Sequence, residues 1–84
     1  MRSGLPMFAI SERALIAILD AIKTTPEHTS AERLAERARY APITAKRAIK
    51  ELENQGAIRV IRSGPPHPNS YEIDPDRVQE LGLL

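Results

Sequence analysis

The sequence predicts a mainly α-helical domain completed by a small β-hairpin. Three observations predict it: three successive segments place apolar residues at helical spacing, a two-residue period follows them, and turn-forming residues then separate two short strands. With 84 residues the chain is one domain at most, of a size that buries only about two-thirds of the surface its unfolded chain exposes. The expected layout is an N-terminal arm over 1–10, a helix and hairpin domain over 11–74, and a short helix or tail over 75–84.

Over 14–23, Leu15, Ile18, Leu19 and Ile22 fall at i, i+3, i+4 and i+7 and make one stripe of a first helix, with Ile16 and Ala17 partly off it. Ser11 is the expected N-cap, since its hydroxyl can accept from an unpaired first-turn amide, and Thr24-Thr25-Pro26 supplies the stop. Thr29-Ser30-Ala31-Glu32 matches a capping box with Thr29 as the cap. The second helix that starts there carries Ala31, Leu34, Ala35 and Ala38 on one face and ends near Arg39 and Tyr40. The third helix spans 42–55. Pro42 opens it, where a missing amide costs nothing. Ala45, Ala48, Ile49 and Leu52 form its inward stripe, and Ile43, Lys46, Arg47, Lys50 and Asn54 form an outward one. Gly56 follows, free to turn left-handed.

From 57 to 62 the period is two, with Ile58 and Val60 on one side and Arg59 on the other. A second strand over 70–73 carries Tyr71 and Ile73, and the Gly- and Pro-rich residues between form the hairpin tip. Asp74-Pro75 reads as a cap and first helical residue, giving a short final helix to about Leu81 before Gly82.

The net charge of +1 conceals a strong segregation. Between Arg33 and Arg62 stand the basic residues Arg33, Arg37, Arg39, Lys46, Arg47, Lys50, Arg59 and Arg62 against Glu36, Glu51 and Glu53 alone, while the flanks are acidic. A basic centre on an otherwise acidic domain is the footprint of a surface that meets phosphates. The longest apolar run, residues 14–19, is far short of the roughly 20 residues that span a bilayer, so no membrane partner is expected. Pro6 and Ser11-Glu12-Arg13 break the N-terminal apolar stretch too early for a secretory signal. The absence of cysteine excludes disulfides and thiolate metal sites and fits a reducing compartment, with the cytoplasm the expected location. No glycine-rich phosphate loop and no paired nucleophile and base stand out, so neither catalysis nor a cofactor is expected.

The stretch from Leu34 to Ile58 resembles winged helix-turn-helix domains such as the MarR-like and GntR-like regulators, and also the terminal domains of some plasmid and phage replication initiators. The resemblance rests on the Leu34-Ala35 pair before a tight turn, Arg47 midway along the third helix, and Leu52-Glu53-Asn54-Gln55-Gly56-Ala57-Ile58 leading into the first strand. It covers residues 11–73 and has two departures: Arg39 stands where glycine is usual in the turn, and Ala41 where a serine or threonine usually caps the third helix.

The resemblance implies sequence-specific binding to double-stranded DNA, by a transcription regulator or a replication-initiation module, with helix 42–55 in the major groove and the wing, 57–73, on the backbone or in the minor groove. The residues it implicates are Arg39, Pro42, Ile43, Thr44, Lys46, Arg47 and Lys50 around the third helix, with Arg59, Arg62 and His67 on the hairpin. Arg47 is the foremost candidate for a base contact, since arginine can donate to guanine O6 and N7. Ile43 is left with two roles, contact with a thymine methyl or packing on Tyr40 and the first helix. The alternative function is a protein-interaction adaptor of the same fold. Leu5, Phe8, Ile16, Val78, Leu81, Leu83 and Leu84 are the candidate surface for a homodimer formed through the arm, the first helix or the tail.

Overall fold

The computed structural model describes residues 10–25, 29–62, 64 and 69–83. It has the mainly helical, winged helix-turn-helix architecture expected: α1 (Glu12–Thr24), α2 (Ala31–Ala38), α3 (Pro42–Asn54), β1 (Ile58–Ile61), β2 (Ser70–Ile73) and α4 (Pro75–Glu80). The final helix is therefore real, though short. Among the described residues no helix is long and apolar enough to cross a membrane.

The three long helices pack pairwise around Leu15, Ile18, Leu34 and Leu52, all buried. Alanines at 35, 45 and 48 let α2 and α3 approach each other closely at the turn. The inward stripe of α3 is the expected one, Ala45, Ala48, Ile49 and Leu52. Ser11 caps α1 by accepting from the Ala14 amide at 3.3 Å. The cap of α2 is Ser30 and not Thr29: Ser30 Oγ accepts from the Arg33 amide at 3.2 Å, and Thr29 is itself buried. Two adjacent hydroxyl residues both fit the capping pattern, and the helix begins one residue later than the pattern places it, which leaves Ser30 at the cap.

Three helices end in the same way. The Tyr40 amide donates to Ala35 O and Arg39 to Glu36 O in α2; Ala57 donates to Leu52 O and Gly56 to Glu53 O in α3; Leu83 donates to Val78 O and Gly82 to Gln79 O in α4. This paired termination needs one left-handed residue, supplied by Arg39 (φ 62°), Gly56 (φ 78°) and Gly82 (φ 74°). A Cβ on Gly56 would meet Arg77 only at an ordinary 3.7 Å, so its backbone angle is what calls for glycine there.

The strands pair antiparallel with Ile58 opposite Ile73, Arg59 opposite Glu72, Val60 opposite Tyr71 and Ile61 opposite Ser70. Ile58, Val60, Tyr71 and Ile73 turn toward the core. The first strand is shorter than the expected 57–62: the Ala57 amide is engaged at the end of α3, donating to Leu52 O at 2.9 Å, while its carbonyl accepts from the Asp74 amide at 2.8 Å, in register with the hairpin. Asp74 caps α4 through Arg77 N at 3.2 Å. Arg77 then reaches back: its Nε donates to Gln55 O at 2.7 Å, tying α4 to the end of α3.

The C-terminal residues correct one expectation. Val78, Leu81 and Leu83 are buried in the chain's own core and offer no apolar face to a second copy. Ile16 on α1 is 42% exposed, as its place off the stripe predicts. Leu5, Phe8 and Leu84 lie outside the described residues.

Candidate nucleic-acid interface

The outward face of α3 follows from its inward one. With Ala45, Ala48, Ile49 and Leu52 buried, the opposite side is occupied by Ile43, Arg47, Lys50 and Asn54 at i, i+4, i+7 and i+11, and all four are exposed. Lys46 flanks this crest on one side, exposed; Thr44 flanks it on the other and is half-buried, so it stands at the edge of the ridge. Pro42 is exposed at the first helical position, and Ala41 before it makes no side-chain cap bond. The first-turn amides of α3 thus lack the protein hydroxyl that caps α1 and α2.

The crest has an apolar wall. A recess of about 480 Å³ opens beside it, lined by Ile10, Lys46, Arg47 and Lys50. Ile10, just ahead of α1, also packs against the core. Arg39 is exposed in the turn between α2 and α3.

The cations divide into two groups that their spacing in the sequence does not distinguish. Lys46 Nζ lies 3.3 Å from Glu32 Oε1, across the α2–α3 interface. Arg59 Nε donates to Glu72 Oε1 at 3.0 Å and its Nη2 closes on the same oxygen, as the cross-strand register dictates. Arg62 Nη1 donates to Glu53 Oε2 at 3.4 Å, joining the hairpin to α3. Among the described residues Arg39, Arg47 and Lys50 have no ion-pair partner, nor do Arg33 and Arg37 on α2. His67 lies outside the described residues.

Two titrating groups register this arrangement. The Glu32 carboxyl is held below its ordinary value, first by a bond from its own backbone amide and then by Lys46. The Tyr71 phenol is pushed above 10.0, chiefly by burial and secondarily by the Glu32 carboxylate, against an opposing pull from Arg62. The Glu32 carboxylate is thus coupled to both Lys46 and Tyr71, and Arg62 acts on Tyr71 in the opposite sense.

The carboxylate partners Glu32, Glu53 and Glu72 were not foreseeable as such, apart from Glu72. A symmetric hairpin that faces Ile58 with Ile73 places Arg59 across from Glu72; nothing local in the sequence joins Glu53 to Arg62 or Glu32 to Lys46. No protein-family model and no curated protein matches the chain.

Proposed function

We propose that the chain binds double-stranded DNA sequence-specifically, with α3 in the major groove and the hairpin beside the backbone, as the DNA-binding module of a transcription regulator or a replication-initiation protein. The observation that carries the reading is the crest of Ile43, Arg47 and Lys50, exposed on a helix whose other face is fully buried. A helix with its side chains is about 10–12 Å across and the major groove about 12 Å wide. From Ile43 to Asn54 the crest runs about 16 Å, or roughly five base-pair steps. Arg39 in the preceding turn adds a cation at the N-terminal end of α3, next to the uncapped amides, where a phosphate oxygen completes the terminus.

The reading makes the chain a binding module without catalysis or cofactor, acting in the cytoplasm and on the nucleoid when bound. Ile16 and the N-terminal arm are the surface this reading gives to a homodimer, since Val78, Leu81 and Leu83 are used in the core. The unpaired cations favour nucleic acid over the adaptor reading, in which α3 docks on a protein.

Fluorescence anisotropy of labelled duplex across a salt series tests the proposal. Neutralisation of phosphates by Arg39 and Lys50, with Arg47 given to a base edge, yields a slope of log K against log salt near −2, at about −0.9 per phosphate. Absence of binding at low salt, or binding indifferent to salt, contradicts it. A stoichiometric protein partner recovered free of nucleic acid supports the adaptor instead.

A further inference from the structure

We infer that Ile43 is a specificity residue that recognises the C5-methyl group of a thymine in the major groove; the inference rests on the duplex-binding reading and deepens it. Of the two roles open to Ile43 in the sequence, burial in the core is not the one the fold uses: the residue is 58% exposed and stands outside the core cluster.

An exposed apolar residue is ordinary on a protein surface and carries no message alone. The place of this one does. Ile43 lies in the first turn of α3, with Arg47 one turn on and Lys50 two turns on along the same crest. Among the described residues the other large exposed apolar ones, Ile16 on α1 and Ile61 at the end of β1, stand elsewhere. A β-branched side chain at an exposed helical position gives up helix propensity, and within the described chain Ile43 gains no core packing in exchange.

Isoleucine can neither donate nor accept a hydrogen bond, so it has nothing to offer the polar edges of guanine, adenine or cytosine. The apolar group displayed in the major groove is the thymine methyl. Four residues of helix separate Ile43 from Arg47, about 6 Å along the axis, which is nearly two base-pair steps. The target therefore pairs a thymine under Ile43 with a guanine, the base suited to Arg47, about two steps away.

The test uses the duplex that the wild-type protein selects from a random pool, and a copy in which deoxyuridine replaces every thymine and so removes only the methyl groups. Wild type loses about fourfold in affinity on the uracil duplex for each methyl that Ile43 covers. Ile43→Ala, at an exposed site where the fold does not depend on the side chain, binds the two duplexes equally apart from any change in DNA shape. Arg47→Ala retains the wild-type sensitivity to the methyl. Equal affinity of wild type for both duplexes overturns the inference, as does an Ile43→Ala variant that loses as much as wild type does. Failure of wild type to bind any duplex in a salt-dependent way removes the DNA-binding reading itself, a different result from methyl-insensitive binding.

Discussion

Arg39 is the described non-glycine residue held at positive φ, 62°, in a helix-ending motif that uses glycine at its two other occurrences, Gly56 and Gly82. A side chain in that conformation costs about 1–2 kcal/mol, which glycine avoids while giving back part of the gain through its freer unfolded chain. Arg39→Gly should therefore raise stability by about 1 kcal/mol in urea unfolding and at the same time weaken duplex binding. A variant that is less stable than wild type would show that no strain is relieved. The position was legible in the sequence because arginine stands where the motif calls for glycine. The α2 cap was not: Thr29 and Ser30 both carry a hydroxyl that fits the pattern, and the helix start at Ala31 puts Ser30 at the cap.

Tyr71 gives a pH dependence of definite sign. Its phenol ionises above 10.0 in the folded chain because burial and the Glu32 carboxylate disfavour the anion. The unfolded chain then loses its proton first, so stability is complete below about pH 10 and falls as pH rises toward the folded value. Equilibrium unfolding on either side of pH 10 should show this decline, and Tyr71→Phe should reduce it. A decline of equal size in the variant would assign the effect to other groups.

At the scale of elements, both faces of α3 were readable because a 3.6-residue period sorts buried from exposed without knowledge of what does the burying. The hairpin was readable from its change of period. What its arginines do was not, because an ion pair joins residues distant in sequence: Arg59 is held by Glu72 and Arg62 by Glu53. Each such exposed pair is worth only about 0–1 kcal/mol, yet it places a carboxylate beside the cation that a phosphate would have to displace. The hairpin is thus nearly neutral, and affinity should reside in α3 and the turn before it. Arg39→Ala with Lys50→Ala should flatten the salt slope by about two phosphates, while Arg59→Ala with Arg62→Ala leaves it almost unchanged. Equal losses in the two double variants would show that the hairpin pairs open and contribute as much as the helix.

Over the whole molecule, the basic centre lies on α2, α3 and the hairpin, and the C-terminal segment completes the core beneath them. Apolar residues in a terminal segment look alike in sequence whether they pack on their own domain or on another copy, which is why the dimer surface expected of Val78, Leu81 and Leu83 proves to be core. Removing residues 75–84 deletes these side chains, worth about 1.5–3 kcal/mol each, and the Arg77 bond to Gln55. A domain of this size has about 4–12 kcal/mol in all. The truncated chain should be largely unfolded by circular dichroism at 25 °C; a cooperative transition like that of the full chain would mean that α4 is dispensable.

The binding surface itself is tested most directly by amide and side-chain NMR spectra of the labelled protein recorded as duplex is added at low salt. Shifts should concentrate on Arg39, Ile43, Thr44, Arg47 and Lys50 and leave the exposed residues of α1 and α4 in place. Shifts centred on α1 or α4, or none at all, would contradict duplex binding through α3.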